Sequence, residues 1–210
     1  MTSPDRLVFV VDDDYRVCRA LQELLASAGL PSVTLGSAAE YIAHPKPDVP
    51  TCLVLDLELP DISGLDLQQQ IGEAYHPPII FISAHAEISS TVRAMRAGAL
   101  GFLTKPCSDR ELLALIDEGF AADFENRAAQ ARLAHLRERF QSLTPREREV
   151  LPLIVSGLLN KQAAALLGIS LVTLQIHRTN MMRKMEADSV ADLVRMADFL
   201  KIPISHRRHA

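Results

Sequence analysis

Four short apolar runs in the first half of the chain each stop abruptly at a polar residue, and this repetition limits the fold more than any other feature. Leu7-Val8-Phe9-Val10-Val11 stops at Asp12-Asp13-Asp14, Cys52-Leu53-Val54-Leu55 at Asp56, Ile79-Ile80-Phe81-Ile82 at Ser83, and Ala99 to Thr104 at Lys105-Pro106. Continuous runs of this length predict strands buried on both faces, not strands with one wet side. Ser32 to Leu35 is a weaker fifth candidate. Helical patterns lie between. Val17, Leu21, Leu24 and Leu25 share one face after the first run, with Gly29 as the C-terminal stop. Further helices are predicted at about 64–74, 86–97 and 109–122. Strands alternating with helices imply an α/β fold, a doubly wound parallel sheet covered on both faces.

A chain of 210 residues, 48% of them hydrophobic, suits one large domain or two small ones with real cores. Three scattered cysteines, Cys18, Cys52 and Cys107, form no CxxC pair and argue against a disulfide framework or a zinc site. No run approaches the roughly 18 apolar residues that span a bilayer. Val150 to Leu159 comes nearest and is broken by Pro152, Ser156 and Gly157. Met1 to Arg6 has no basic region followed by an apolar core, so a soluble, cytoplasmic protein with no membrane partner is expected.

The net charge of −4 averages two unlike halves. Residues 1–125 hold eight Lys and Arg against nineteen Asp and Glu, a balance of −11; residues 126–210 hold fourteen against seven, a balance of +7. Two domains with different partners are implied, the basic one suited to an anion such as nucleic acid.

In open parallel sheets ligands bind outside the carboxyl ends of the strands. Here those ends carry Asp12, Asp13, Asp56, Ser83 and Lys105. Carboxylates brought together repel unless a cation sits among them. Hard oxygen donors without nearby Cys or His favour magnesium over zinc. One carboxylate beside a divalent ion, an ammonium and a hydroxyl is equipped to attack phosphorus and hold phosphoryl oxygens.

Val11-Asp12-Asp13-Asp14, Leu55-Asp56 through Pro60 to Gly64, Phe81-Ile82-Ser83-Ala84 and Ala97-Gly98 through Phe102 to Lys105-Pro106 together resemble the receiver domain of two-component response regulators. The resemblance spans residues 7 to about 122 and implies a five-stranded, flavodoxin-like sheet. By this resemblance Asp56 is the phospho-acceptor. Asp12, Asp13, Asp56 and the Glu58 backbone carbonyl bind Mg²⁺. Ser83 and Phe102 act as the switch, and Lys105 pairs with the phosphoryl group. Lys105–Pro106 resembles the family's cis peptide, which aims the lysine inward. Glu58 and His85, two residues beyond Asp56 and Ser83, stand where the family varies. Glu58 either bears on phosphoryl lifetime or is a solvated loop residue.

From Asp109 to Gln141 the sequence favours helix almost without interruption, so residues 123–141 are expected to form a helical linker between a domain at 1–122 and another at 142–210. Its apolar trace, Phe120, Phe124, Leu133, Leu136 and Phe140, is expected either to pack on its own domains or to meet a second subunit. Thr144-Pro145-Arg146-Glu147 has the form of a capping box with proline at the first helical position. Asn160 is read as the cap of a second helix ending at Gly168, followed by a third from about Leu171 to Glu186 and a fourth opened by Ser189. Two short helices around a glycine turn, the second exposed and basic, make a helix-turn-helix within an all-α four-helix domain.

Leu143 to Leu151, Gly157 with Asn160-Lys161, Gly168-Ile169-Ser170, and Thr173 to Arg178 with Lys184-Met185 resemble the LuxR-type DNA-binding domain. With the receiver, the architecture is similar to the NarL/FixJ subfamily. This implies that the third helix enters the major groove and the fourth pairs subunits on two-fold-related half-sites. Lys161, Thr173, Gln175, Ile176, His177, Arg178, Thr179, Arg183 and Lys184 are the expected DNA-binding residues. Gln175 suits adenine, and Ile176 a thymine methyl. Arg178, Thr179, Arg183, Lys184 and Lys161 suit phosphates or bases, and His177 suits helix order or backbone contact. Leu171-Val172 departs from the pattern, since many relatives carry proline and a polar or basic residue there.

The expectation is a transcription regulator that takes a phosphoryl group on Asp56 from a sensor histidine kinase, becomes a homodimer and binds promoter DNA. It is not expected to be an enzyme beyond self-catalysed phosphotransfer and dephosphorylation. One alternative is a regulator that ignores phosphate and uses the receiver to dimerise or sense. Another is an aspartyl-phosphate hydrolase of the haloacid-dehalogenase type built on Asp12 and Asp14, in which Arg16 stands where threonine or valine belongs.

Overall fold

The computed structural model describes residues 5–72, 76–84 and 87–202, which divide into two compact units, 1–127 and 128–210. In the first, strands β1 (Leu7–Val11), β2 (Ser32–Leu35), β3 (Thr51–Asp56), β4 (Ile79–Ser83) and β5 (Gly101–Thr104) form one parallel sheet in the order β2-β1-β3-β4-β5. Helices α1 (Tyr15–Ser27), α2 (Ala38–Ala43), α3 (Gly64–Ile71) and α4 (Ile88–Arg96) lie between the strands, and α5 (Asp109–Gln141) follows. The fold class is the one expected.

Strand parity explains why the apolar runs are continuous. Odd-numbered residues Phe9, Val11, Leu53, Leu55, Ile79 and Phe81 pack with Tyr41, Leu67 and Ala94 of α2, α3 and α4. Even-numbered Val8, Val10, Cys52, Val54, Ile80 and Ile82 pack with Leu21 and Leu25 of α1 and with Leu112, Ile116 and Phe120 of α5. Successive side chains point to opposite faces, so in a sheet covered twice both faces of the central strands call for apolar residues.

Helix α2 was not visible in the sequence pattern. It is only six residues long, and its start is held from a distance: the Asp61 carboxylate accepts from the N–H groups of Ala38 and Ala39 at 3.2 and 2.8 Å. Helix α5 runs unbroken as expected. Asp123, fully buried, accepts from the Thr51 N–H at 2.9 Å and pairs with Arg127 at 2.7 Å. Arg127 also reaches Asp48 at 2.8 Å, so α5 remains anchored to the sheet's first unit as far as Arg127.

The second unit holds the end of α5 with α6 (Pro145–Val155), α7 (Asn160–Leu167), α8 (Leu171–Met185) and α9 (Val190–Phe199). Its core gathers Leu136, Val150, Leu151, Ile154, Leu174, Met181, Met185 and Leu193. Leu136 and Phe140 of the apolar trace pack here, whereas Phe124 is exposed. The capping box at Thr144 is formed, with Thr144 Oγ1 and Glu147 Oε2 each accepting from the other's backbone N–H. The cap of α7 falls one residue earlier than read from the sequence. Leu159 occupies it, its N–H donating to Gln162 Oε1 at 3.0 Å, while Asn160 begins the helix.

Candidate functional site

Four strands deliver one polar side chain each to the carboxyl edge of the sheet. Asp56 is the last residue of β3 and Ser83 the last of β4; Asp12 directly follows β1 and Lys105 directly follows β5. The register places Asp56 opposite Ile82, and Ser83 opposite Thr104. Asp12, Asp56 and Ser83 are buried, Asp13 exposed. Lys105 Nζ lies 2.5 Å from Asp12 Oδ2 and 2.9 Å from Asp56 Oδ2, so a single ammonium bridges both buried carboxylates. Its backbone N–H donates to the Ser83 carbonyl at 2.8 Å, and the Lys105–Pro106 peptide is cis.

The loops around this cluster are fixed. Asp12 Oδ1 accepts from the Asp14 N–H, and Asp14 in turn caps α1 through the Arg16 N–H at 2.8 Å. Leu57 accepts from the Gly64 N–H at 2.8 Å, closing the loop after Asp56. A Cβ at Gly64 would stand 2.2 Å from the Asp56 carbonyl oxygen, so no larger residue fits without displacing the end of β3. Glu58 is exposed, and His85 lies outside the described residues. Phe102 is half-buried and stacks on Phe81 with centroids 6.0 Å apart.

The electrostatics of the cluster suit a bound cation. Burial pushes the Asp12 carboxyl above its usual range, against the lowering effects of Lys105 and the Asp14 N–H. Burial also works against the Lys105 ammonium, but its bonds to Asp12 and Asp56 outweigh that and hold its pKa above the ordinary value. One ammonium cannot balance three carboxylates. Asp12, Asp13 and Asp56 each offer an oxygen, all within 4.8 Å of one another, and the cluster contains no Cys or His. An oxygen-only donor set of this kind fits a hard divalent ion such as Mg²⁺.

In the second unit α7, the turn Gly168-Ile169-Ser170 and α8 form a helix-turn-helix. Gly168 takes φ +65°, the left-handed value that the C-terminal stop of α7 requires. Leu171, Val172, Gln175, Ile176, Thr179 and Arg183 are exposed along α8, as is Lys161 on α7. Thr173 and His177 are half-buried, and Thr173 is engaged with the Ser170 hydroxyl at 2.8 Å. Two of the expected DNA-binding cations have protein partners that local spacing gave no hint of. Arg178 donates to Asn160 Oδ1 at 2.8 Å, and Lys184 pairs with buried Glu147 at 2.7 Å and donates to the Ser142 carbonyl at 3.2 Å.

Comparison with known proteins finds a family for each of the two units. Residues 8–117 match the family described as response regulator receiver domain, and residues 141–197 match bacterial regulatory proteins, luxR family. Nodulation protein W of Bradyrhizobium diazoefficiens is 46% identical over 205 residues, covering 97% of this chain and 90% of that protein. The transcriptional regulatory protein FixJ of Azorhizobium caulinodans is 37% identical over 191 residues, 90% of each chain. The solved structure of the response regulator StyR superposes with a TM-score of 0.77 at 43% identity, covering 93% of this chain and 99% of that one. Among the described residues no helix is long and apolar enough to cross a membrane. With a receiver domain followed by a LuxR-type DNA-binding domain, the chain belongs to the NarL/FixJ subfamily of response regulators.

Proposed function

We propose that the chain is a cytoplasmic transcription regulator gated by phosphorylation of Asp56. The observation that carries this reading is the bridge from Lys105 to Asp12 and Asp56 at the sheet's carboxyl edge, with Asp13 within reach of the same point. An Asp56 carboxylate oxygen attacks the phosphorus of a phosphohistidine on a sensor kinase. The new O–P bond forms as the P–N bond breaks, and the imidazole nitrogen leaves with the bonding pair. Asp12, Asp13, Asp56 and the Glu58 backbone carbonyl would hold Mg²⁺, which when bound would supply positive charge to the phosphoryl oxygens. Lys105 exchanges its carboxylate contact for a phosphoryl oxygen, and the Ser83 hydroxyl donates to another. Phe102 follows Ser83, remodelling the face formed by α4 and β5 and favouring a homodimer that presents two copies of α8 to two-fold-related half-sites on DNA. Attack of water on the acyl phosphate resets the protein. The chain's own chemistry goes no further than accepting and losing this group.

Labelling with a phosphodonor or with beryllofluoride tests the assignment. Label is expected on the wild type and absent from Asp56→Asn; label retained in that variant overturns Asp56 as the acceptor. Wild-type DNA binding that is indifferent to loading favours the phosphate-independent alternative.

A further inference from the structure

The exposed face of α8 carries no charge along its first three turns. Along its first three turns the exposed side chains are Leu171, Val172, Gln175, Ile176 and Thr179, and the next exposed cation is Arg183, in the last turn. Val172 is 65% exposed and Ile176 56%. Four residues apart, they stand one above the other on a single helix face. Two of the cations of α8 that could read guanine already have protein partners: Arg178 is bonded to Asn160, and Lys184 to Glu147. Gln175 lies beside the apolar pair, exposed and without a partner among the described residues.

We propose that α8 reads A·T pairs through thymine methyl groups, with Val172 and Ile176 each covering a 5-methyl and Gln175 bonding bidentately to an adjacent adenine. The proposal rests on the DNA-binding reading above and names the base chemistry of that same site. Major-groove thymine is the one base edge that offers an apolar group, and glutamine matches the adenine N6 and N7 pattern. The occupant is double-stranded DNA because the unit is basic, with Lys161 on α7 and Arg183 on α8 exposed and able to meet phosphates. Val172 and Ile176 are separated by about 6 Å along the helix, against about 3.4 Å per base step. The two methyls therefore belong within two steps of each other in one half-site.

The test uses the full chain loaded with beryllofluoride and a randomised duplex pool, from which the preferred site is selected. Each thymine of that site is then replaced by uracil, which removes only the methyl. Wild type is expected to lose about three- to five-fold in affinity at one or two thymines per half-site. Ile176→Ala and Val172→Ala are expected each to lose sensitivity to uracil at one of those positions. Both side chains are exposed, so these truncations leave the core intact. If uracil is tolerated throughout the half-site, or the variants keep the full wild-type penalty, methyl readout is overturned while DNA binding stands. If no sequence is enriched at all, α8 as a sequence reader is overturned together with this proposal.

Discussion

Arg178 of α8 donates from Nη1 to Asn160 Oδ1 of α7 at 2.8 Å, tying the recognition helix to the start of the helix before it. A cation held in this way orients the helix as well as adding charge. Asn160→Ala is expected to weaken binding to the selected site by about three- to ten-fold, the worth of an ordinary net hydrogen bond. Arg178→Ala should weaken it further, and the double variant should be no worse than Arg178→Ala alone. Fluorescence anisotropy with labelled duplex measures all three; additive losses would mean the two residues act separately.

Glu147 gives the second unit a dependence on acid. Burial raises its pKa, but the bonds from Lys184 and from Thr144 outweigh this and leave it below the ordinary 4.5. A carboxyl with a lowered folded pKa adds stability that is present above 4.5 and lost as pH falls through the folded value. Glu147→Gln retains the capping-box acceptor and loses the charge. It is expected to cost about 1–2 kcal/mol at neutral pH. Urea titrations of the full chain should show the wild-type advantage shrinking below about pH 4.5. A difference constant with pH would sink the argument.

Divalent metal should stabilise the first unit, because it relieves the surplus of carboxylate charge around Lys105. A concentration ten times Kd is worth about 1.4 kcal/mol by mass action. Asp13 is exposed, so Asp13→Ala should fold normally yet lose most of the Mg²⁺-dependent rise in melting temperature. An unchanged rise would remove Asp13 from the ligand set.

Gly64→Ala tests the close approach behind Asp56. A Cβ at 2.2 Å from the Asp56 carbonyl oxygen cannot be absorbed by a flexible side chain, since the obstacle is backbone. A destabilisation of about 2–4 kcal/mol is expected, with labelling of Asp56 slowed even where the protein remains folded. Calorimetry and labelling rates report the two effects separately.

The parts of this molecule legible in its sequence are those that neighbours in the chain decide. Each apolar run is local, and so is the polar residue that ends it. Asp12, Asp56, Ser83 and Lys105 could therefore be listed before their meeting was seen. The cap at Thr144 was equally local. What escaped depends on distance along the chain. Helix α2 is set partly by Asp61, 23 residues from Ala38, and Lys184 finds Glu147 at a separation of 37. Asn160 has the composition of a cap, yet its side chain is used 18 residues away on Arg178. No periodicity encodes such pairings, because they exist only once the helices have packed.

The sheet's two edges, β2 and β5, are four residues each, while the three strands between them have five or six. Short edges offer few free backbone groups to a stray strand, which discourages aggregation by sheet extension. For a protein proposed to assemble only on command, this matters: accidental polymerisation is kept closed, and helical surfaces that a chemical signal can remodel are left as the way for two copies to meet.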